Sequence, residues 1–503
     1  MNHHYNLKSL FVEVAKKYPN HVALQYEDRA YTYQELMDKS DQLAVYLLSQ
    51  GLSAGHVVCI ISSKVFEDYA LMIACLKVGI IYTNTDSDNP LDRIASILDN
   101  CKAKMVLANF ISEGLQGHLR KANIKHINYS DIEYAAGSYE STDIDGDSVA
   151  YIMFTSGSTG VPKGAAITHQ NLLHFIAWAT ARFAIIPQDN FANISPMYFD
   201  NSVFDFYSAL FNGACITPIK KSLLTQPLEL VNYVTSKVCT FWFSVPTMLI
   251  YLLTMKVLTN TCLTSIRTFI FGGEGFQKTE LQKLYHLYGQ TAELVNVYGP
   301  TECTCICSSY TITGADFDNL DELPCLGAIN TNVSYVILNE GKPGQQGELC
   351  LLGPLVSKGY YNDPDRTAGV FSFYTDGNHY SKPMYKTGDL VKEVNGLLYF
   401  NGRKDNQIKH MGYRIELEEI ECALNSLPDI QQAAVVYQRV STAFGKIIAF
   451  VVLNSDDVEL AAIKESLGGI LPAYMLPSRY DVLKTFPMNA NGKIDKVRLK
   501  SMA

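Results

Sequence analysis

Hydrophobic residues in the first 400 positions of the chain follow two patterns, helical spacing and short continuous runs. Residues 67–78 carry apolar side chains at helical spacing and precede Gly79, which predicts a helix that ends there. Residues 105–108 and 269–271 are short, uninterrupted apolar runs, which indicates buried strands. Helices that alternate with buried strands are typical of α/β layers around a largely parallel sheet. We therefore predict an α/β fold with a large N-terminal domain of layered subdomains.

The pattern changes twice before the C-terminus. Residues 345–402 hold short apolar segments separated by glycines, which is typical of a small β-barrel or distorted sheet. The elements predicted after it are a strand pair, a helix at about 417–425, strands at 432–437 and 446–452, and a helix at about 457–469. We therefore predict two domains, 1–404 and 405–503, the second a small α+β unit.

Composition excludes several classes of function. The chain has 503 residues, 48% of them hydrophobic, which is enough for a large core divided between domains. A net charge of −9 without a basic face argues against nonspecific nucleic-acid binding. The N-terminus lacks a secretion pattern, and no apolar run approaches the ~20 residues that span a bilayer. We expect a cytoplasmic protein that binds neither nucleic acid nor membrane.

The twelve cysteines show no Cys-x-x-Cys pair and no zinc-type spacing. In the absence of a secretion pattern, we expect them to be reduced and mostly buried. Cys303, Cys305 and Cys307 stand at a spacing of two, which predicts that all three share one face of a strand. No fourth ligand is near in sequence, so we expect no metal site there.

Residues 154–164, Phe-Thr-Ser-Gly-Ser-Thr-Gly-Val-Pro-Lys-Gly, are the most informative segment, and they follow a predicted buried strand at 149–154. Glycines allow backbone N–H groups to close on an anion, hydroxyls donate to its oxygens, and Lys163 adds a positive charge. The spacing matches neither the ordinary P-loop nor Gly-x-Gly-x-x-Gly. The segment predicts a loop that binds nucleotide phosphates; the alternative is a flexible turn.

Three further motifs could complete a nucleotide site. In Asn-Val-Tyr-Gly-Pro-Thr-Glu, Tyr298 could stack on a base, Thr301 could donate to a phosphate, and Glu302 could hold Mg²⁺. Asp389 follows a glycine and could accept both hydroxyls of a ribose. Lys493, in Asn-Gly-Lys, could reach phosphate or carboxylate oxygens. Each motif taken alone could equally be an ordinary turn.

The order and spacing of these segments resemble the adenylate-forming superfamily, specifically the adenylation domains of nonribosomal peptide synthetases and their stand-alone relatives. The resemblance covers nearly the whole chain, with further matching motifs at 31–36, 76–79, 198–202, 347–350, 359–362, 402–409 and 412–416. It implies that a carboxylate attacks the α-phosphate of ATP, giving an acyl-adenylate and pyrophosphate, and that a thiol then displaces AMP. The implied cofactors are ATP and Mg²⁺. The implied partner is a phosphopantetheinylated carrier protein. No Gly-Gly-x-Ser site lies within the chain, so we expect the carrier to act in trans, the alternative being that the chain is part of a longer synthetase.

The resemblance also implies roles for individual residues. The loop that orders the β- and γ-phosphates would comprise Thr155, Ser156, Gly157, Ser158, Thr159, Gly160 and Lys163. The other ATP contacts would be Gly273, Glu274, Asn296, Tyr298, Gly299, Asp389 and Arg403. The catalytic residues would be Lys493, Thr301 and the Mg²⁺ ligand Glu302. Lys493 would bridge the carboxylate and the α-phosphate, where a preorganised cation stabilises the transition state.

A lysine of the small domain can act on the large domain only if the small domain is mobile. Asp405 matches the hinge position of the family, where one residue can absorb a large backbone rotation. The resemblance implies that the domain then rotates to present residues 409–414 for thiol transfer. The sequence departs from the family at His410-Met411, where an apolar residue followed by arginine is usual, and this bears on carrier docking.

Asp200 is expected to select the substrate class. The resemblance implies that it pairs with the α-ammonium of an amino acid, since a buried carboxylate requires a matching cation. The alternative is that Asp200 caps the helix that begins near Ser202. The other pocket positions are Asn201, Phe204, Phe243, Ile270, Gly272, Val297, Cys305 and Ile306. Such an apolar cavity favours isoleucine or valine, then leucine, with neighbours separated by only ~1–3 kcal/mol.

Three alternatives remain. D-alanine:carrier-protein ligases resemble the chain in length and at residues 241–246 but carry a bulkier residue at Gly272, so D-alanine ranks second. An acyl-CoA synthetase is opposed by Asp200. A homologue that only binds nucleotide is opposed by the presence of Lys493 and Glu302.

Overall fold

A computed structural model describes residues 4–134, 139, 143–375, 380–439, 445–455, 458–489 and 494–503. Lys493 therefore lies outside the described residues. The α-helices of the described part are α1 Leu7–Lys17, α2 Tyr33–Ser49, α3 Phe66–Val78, α4 Leu91–Cys101, α5 Glu113–Lys121, α6 His169–Phe183, α7 Asn201–Leu210, α8 Pro227–Ser236, α9 Pro246–Thr254, α10 Lys278–Tyr288, α11 Pro364–Val370, α12 Leu417–Asn425, α13 Leu460–Gly468 and α14 Lys496–Met502.

The strands of the described part are β1 Val22–Gln25, β2 Ala30–Thr32, β3 Val57–Ile61, β4 Ile81–Thr85, β5 Met105–Ala108, β6 Lys125–Asn128, β7 Val149–Thr155, β8 Lys163–Thr168, β9 Asn190–Asn193, β10 Cys215–Pro218, β11 Phe241–Ser244, β12 Thr268–Gly272, β13 Glu293–Tyr298, β14 Ser308–Thr311, β15 Ala328–Ile329, β16 Ser334–Asn339, β17 Lys342–Pro343, β18 Gln346–Leu352, β19 Phe371–Thr375, β20 Ser381–Val394, β21 Leu397–Arg403, β22 Gln407–His410, β23 Tyr413–Glu416, β24 Ile430–Arg439, β25 Gly445–Leu453 and β26 Arg479–Val482.

Two largely parallel sheets form the large domain. One has the order β15-β14-β13-β12-β11-β9-β10-β1-β2 and the other the order β6-β5-β3-β4-β7-β8. Antiparallel pairing is confined to the outer strands of each sheet. The largest core cluster takes side chains from both sheets and from α3 and α7. Helix α3 ends at Gly79, whose φ of 71° is left-handed, so the predicted helix end is confirmed.

Two smaller units complete the fold. Strands β16 to β21 form the small, distorted antiparallel unit predicted at 345–402. Beyond it come the β22–β23 hairpin and the sheet β24-β25-β26, which together with three helices make the predicted α+β unit. Ala433 and Val435 face the core beneath α12 and α13, whereas Ala434 and Val436 face α14 on the opposite side. Helix α12 has the predicted bounds, whereas α13 begins three residues later than expected.

The predicted strand through Cys303, Cys305 and Cys307 is wrong. A single 3₁₀ turn covers Thr301–Cys303, and the next two residues, Thr304 and Cys305, have left-handed φ angles of 58° and 74°. The turn begun by Gly299-Pro300 therefore continues to the start of β14. All twelve cysteines are free, and the described residues contain no group of three or more His, Cys, Asp or Glu able to hold a metal ion. In the same residues, no helix has the length and apolarity to cross a membrane.

His169 connects the start of α6 to the N-terminal helix. Its Nδ1 accepts a hydrogen bond of 3.2 Å from the backbone N–H of Leu7, and its buried Nε2 has no hydrogen-bond partner among the described residues. Burial lowers the pKa of His169 to about 4. Protonation would therefore bury a charge and remove the acceptor for Leu7.

We expect His169 to make the large domain less stable in mild acid. The unfolded imidazole protonates near its ordinary pKa of 6.5, whereas the folded one stays neutral to about pH 4. The stabilising contribution is therefore complete above pH 6.5 and is lost progressively as the pH falls to 4. Urea unfolding followed by Trp178 and Trp242 fluorescence should show wild type losing about 2 kcal/mol more than His169→Asn between pH 7.5 and 5. Equal losses in the two proteins would contradict this assignment.

Candidate active site

A cavity of about 230 Å³ lies between the large domain and the β22–β23 hairpin. The large-domain wall is formed where β9, β11, β12 and β13 end, which is the edge of a parallel sheet that usually binds ligands. The predicted site residues that line it are Thr155, Ser156, Asp200, Asn201, Gly273, Tyr298, Gly299, Thr301, Asp389 and Arg403. The small domain contributes Gln407, Lys409, Met411, Gly412, Tyr413, Arg414 and Tyr474.

Asp389 and Arg403 line the cavity together, and Arg403 also binds Asp405 beside it. Asp389 accepts hydrogen bonds from the hydroxyl of Tyr298 at 2.6 Å and from Arg403 at 2.7 Å. The same Arg403 donates to both carboxylate oxygens of Asp405, each at 2.6 Å. The ammonium of Lys409 lies 5.8 Å from the centre of the Tyr298 ring. Asp389 is therefore held at the hydroxyl end of the Tyr298 ring, and the ammonium of Lys409 lies over the ring itself.

Glu302 is fully buried and does not line the cavity, but its partner Arg414 does. One carboxylate oxygen accepts from the Tyr360 hydroxyl and the other from Arg414, both at 2.7 Å. The ammonium of Lys163 is 4.0 Å away. Burial alone would raise the pKa of Glu302, but the charges of Arg414 and Lys163 hold it at about 2. Glu302 is therefore an ionised carboxylate at neutral pH.

The predicted phosphate loop connects β7 and β8 and lies against the small domain. Ser156 donates to the carbonyl of Arg414 at 2.8 Å, and the N–H of Gly157 donates to Glu419 at 3.0 Å. Lys163 is paired with Glu416 at 3.3 Å. Ser158 and Thr159 are exposed, and the loop passes close to the side chain of Cys422 at Gly160. Groups expected to bind phosphates are thus bonded to groups of the hairpin and α12.

Asp200 stands at the N-terminus of α7, but its side chain makes no capping hydrogen bond. One carboxylate oxygen accepts instead from the hydroxyl of Thr301 at 2.7 Å. The capping alternative is therefore wrong. Burial raises the pKa of Asp200, with the Thr301 hydrogen bond acting in the opposite direction. A carboxylate in this position gains stability when a cation enters the cavity beside it.

Several predicted site residues do not line the cavity. The seven deeper pocket positions are buried in the core: Phe204, Phe243, Ile270, Gly272, Val297, Cys305 and Ile306. Phe204 and Phe243 pack edge to face at 5.5 Å, and a side chain at Gly272 would collide with Val297. Asn296 donates to the carbonyl of Cys325. The space next to Asp200 and Asn201 is therefore shallower than the residue types suggested.

Two contacts between the domains were not expected from the sequence. Glu274, expected at a base edge, accepts instead from the N–H of Thr247 and from that of Gly412, each at 2.8 Å. Arg93 of α4 donates to Glu419 at 2.6 Å across the domain boundary. Gly412 belongs to the matching motif at 412–416, so a role for the hairpin could have been expected from the sequence. Arg93 is 326 positions from its partner and had none.

Ile494, the first described residue after Lys493, lies on the opposite face of the small domain. Ile494 packs with Ala434, Val436 and Phe450, on the α14 side of the sheet. Helix α12, which contacts the phosphate loop, lies on the other side. Ile494 therefore lies on the face of the small-domain sheet opposite the helix that contacts the predicted phosphate loop.

Two family models match the chain, one in the large domain and one in the small domain. Residues 11–361 match the family "AMP-binding enzyme", and residues 419–493 match "AMP-binding enzyme C-terminal domain". The D-alanine--D-alanyl carrier protein ligase of Bacillus licheniformis is 33% identical over 97% of this chain and 98% of its own length. Bacitracin synthase 1 of the same species is 33% identical over 98% of this chain but only 9% of that protein.

Solved structures share the whole fold. The Vibrio cholerae adenylation domain AlmE, in complex with glycyl-adenosine-5'-phosphate, has a TM-score of 0.85 at 23% identity, covering 100% of this chain and 98% of that one. A nonribosomal peptide synthetase protein containing adenylation and PCP domains, bound to a vinylsulfonamide inhibitor, has a TM-score of 0.85 at 24% identity, covering 99% and 84%. These likenesses show the two-domain α/β fold.

We expect Gly412→Ala to separate the two domains. Gly412 has a φ of 81°, and an added Cβ would lie 2.5 Å from Val245 of the large domain. Gly396→Ala is the matched control, since Gly396 has a φ of 79° and nothing within 4 Å. In hydrogen exchange, the Gly157 amide should lose about tenfold or more of its protection in Gly412→Ala only, because its acceptor belongs to the small domain. Unchanged protection would show that the domains tolerate the collision.

Proposed function

The chain belongs to the AMP-binding enzymes, and we propose that its substrates are ATP and an amino acid. It is an adenylate-forming ligase. The amino-acid carboxylate would attack the α-phosphate, giving aminoacyl-AMP and pyrophosphate, and the phosphopantetheine thiol of a carrier protein would then displace AMP. With ATP as cosubstrate and twelve free cysteines, we place the reaction in the cytoplasm.

The position of Asp200 carries the proposal for an amino acid. Its carboxylate lines the cavity and is bonded to Thr301, beside the proposed position of the α-phosphate. An α-ammonium at Asp200 would thus hold the substrate carboxylate within reach of that phosphate. Tyr298 and Asp389, at the other end of the cavity, would take the adenine and the ribose.

Mg²⁺ fits the residues of the phosphate end. Glu302 is ionised and buried, and one carboxylate together with phosphate oxygens is the usual environment of this ion in nucleotide sites. When bound there, Mg²⁺ would neutralise the charge that develops on the phosphates. Glu302 would hold it, while Lys163 and the Gly157 N–H would donate to the β- and γ-phosphates.

The domain arrangement supports the second half of the reaction. The hairpin with Lys409 and Arg414 covers the cavity, and this is the face that the sequence assigns to thiol transfer. Adenylation would then require the small domain to rotate about Asp405 so that Lys493 enters the site. Asp405 lies between β21 and β22, where no strand pairing restricts its backbone.

We infer that the substrate has a small side chain. The seven deeper positions are packed against one another in the core, so the cavity beside Asp200 offers little depth for isoleucine or valine. D-alanine, the second candidate from the sequence, fits this packing, and a relative over the full chain length bears its name. Branched aliphatic amino acids, the first candidates from the sequence, now rank second. They would bind only if Gly272 and the apolar residues around it separated to admit them.

We expect amino-acid-dependent exchange of labelled pyrophosphate into ATP, strongest with D-alanine, L-alanine or glycine. Asp200→Asn should reduce this exchange by about 100-fold or more, since an amide cannot neutralise the buried ammonium. Free coenzyme A as acceptor tests the acyl-CoA alternative. Exchange with isoleucine or valine alone would show that the core rearranges around the substrate, and full activity of Asp200→Asn would contradict the assignment of Asp200.

We expect Lys493→Ala to abolish this exchange while leaving ATP binding nearly intact. The cation acts where carboxylate and phosphate approach, so its loss removes stabilisation of the transition state and little of the ground state. Aminoacyl-AMP supplied directly should still react with a thiol such as pantetheine, because the hairpin arrangement does not require Lys493. Normal exchange in this variant would overturn the role of Lys493.

A further inference from the structure

The segment that carries Asp200 connects a strand to a helix without regular structure of its own. Strand β9 ends at Asn193, helix α7 begins at Asn201, and the backbone between them forms turns and irregular loops. Residues 194–196 and 198–200 of this segment line the cavity. Since backbone outside helices and strands moves readily unless other groups hold it, the position of the Asp200 carboxylate depends on how the segment is anchored.

Lys64 holds the start of this segment from the other sheet of the large domain. It belongs to the loop between β3 and α3, whereas β9 belongs to the nine-stranded sheet. Its Nζ donates to the carbonyl of Asn193 at 2.7 Å and to that of Ile194 at 3.0 Å. A lysine nitrogen has enough hydrogens for both bonds. Because the two acceptors are on consecutive residues, the pair fixes the direction in which the chain leaves β9.

The loop that presents Lys64 is itself held in one conformation. The Oδ2 of Asp68 accepts from the N–H of Ser63 at 2.9 Å and from that of Val65 at 3.2 Å. The Oδ1 of the same buried carboxylate accepts from the hydroxyl of Tyr129 at 2.8 Å. Lys64 lies between the two backbone donors and has a left-handed φ of 60°, which is uncommon for a residue with a side chain. Such conformations persist only where the surroundings impose them, and they concentrate at functional sites.

The side chain of Asn193 connects the same anchor to α7. Its Nδ2 donates to Asp205 at 2.9 Å, and its Oδ1 accepts from the hydroxyl of Tyr69 at 2.8 Å. Burial raises the pKa of Asp205 to about 8, while the Asn193 hydrogen bond and the charge of Lys64 act in the opposite direction. Burial likewise lowers the pKa of Lys64 to about 7, against the charge of Asp205. Both ends of the segment that carries Asp200 are therefore connected to Lys64 and its neighbours.

We propose that Lys64 is a positioning residue for amino-acid binding, which holds the carbonyls at the end of β9 and thereby fixes the Asp200 carboxylate where the substrate α-ammonium enters. Lys64 does not line the cavity, so it acts through the backbone of the segment. The inference rests on the proposed function, because it takes Asp200 as the partner of the α-ammonium. Without Lys64 the segment moves, which weakens amino-acid binding and leaves the proposed nucleoside contacts at Tyr298 and Asp389 in place.

Lys64→Met tests this role, since methionine retains most of the side-chain length and removes the nitrogen that donates. Pyrophosphate exchange should be measured with whichever of D-alanine, L-alanine and glycine gives the strongest exchange in wild type. The KM for that amino acid should rise by about tenfold or more, whereas the KM for ATP should change by less than about twofold. A wild-type KM for the amino acid in Lys64→Met would overturn the proposal.

Lys77→Met is the matched control. Lys77 is a buried lysine of the same domain, and its Nζ donates to Ser40 at 2.7 Å and to Asp41 at 2.8 Å, both in α2. Its loss should lower the stability of the domain without changing the KM for the amino acid. An equal rise of that KM in the two variants would overturn the proposal, because it would show a general effect of removing a buried lysine.

Two further variants at position 64 complete the series. Lys64→Arg keeps nitrogen donors and should recover most of the amino-acid affinity, and a KM as high as that of Lys64→Met would overturn the proposal. If Lys64→Met does not fold, Lys64→Gln takes its place with the same expectations, since its amide nitrogen stands one atom short of the position of Nζ.

Hydrogen exchange tests the anchoring without any substrate. The N–H of Phe199 donates to the carbonyl of Pro196 at 3.0 Å within the segment. Its protection should fall by about tenfold or more in Lys64→Met and by much less in Lys77→Met. Wild-type protection in Lys64→Met would overturn the positioning role and leave the ligase activity standing. If wild type shows no pyrophosphate exchange with any amino acid, the proposed function is overturned, and hydrogen exchange still decides whether Lys64 holds the segment.

Discussion

The arrangement of the two domains depends on one ionised carboxylate in the protein interior. Glu302 is fully buried and carries its charge because Tyr360, Lys163 and Arg414 surround it. Removing Arg414 would leave the buried charge with Lys163 at 4.0 Å, and the loss of one partner from a buried ion pair costs several kcal/mol. The large domain alone supplies only part of that neutralisation. The buried carboxylate therefore needs a further positive partner, either a cation from the small domain or a bound metal ion.

The local parts of the fold could be predicted from the sequence, because they rest on short-range periodicity. The end of α3 at Gly79, the bounds of α12 and the strand before the phosphate loop all follow from hydrophobic spacing and one glycine. The strand predicted through Cys303, Cys305 and Cys307 was wrong because it also rested on spacing alone. A spacing of two indicates a strand only where the backbone is extended. Left-handed residues at 304 and 305 break that condition.

Contacts between distant segments could not be predicted in this way. Arg93 and Glu419 are in unremarkable helices, and only the docking of the two domains makes them a buried pair. The depth of the predicted substrate pocket could not be read from the sequence either. Its residue types are compatible with a deep apolar cavity, whereas in the structure Phe204 and Phe243 pack against each other. Composition determines which side chains are apolar, and packing determines how much volume they leave.

Arg403 has a consequence beyond its place in the cavity wall. Its guanidinium donates to Asp389, where the ribose is proposed to bind, and to both oxygens of Asp405, the proposed hinge. A ligand that draws Arg403 toward Asp389 weakens the hydrogen bonds between Arg403 and Asp405. By thermodynamic reciprocity, a hinge rotation that withdraws Asp405 changes nucleotide affinity by the same free energy. If Asp389 binds the ribose and Asp405 is the hinge, as proposed, nucleotide binding is therefore coupled through Arg403 to the angle between the domains.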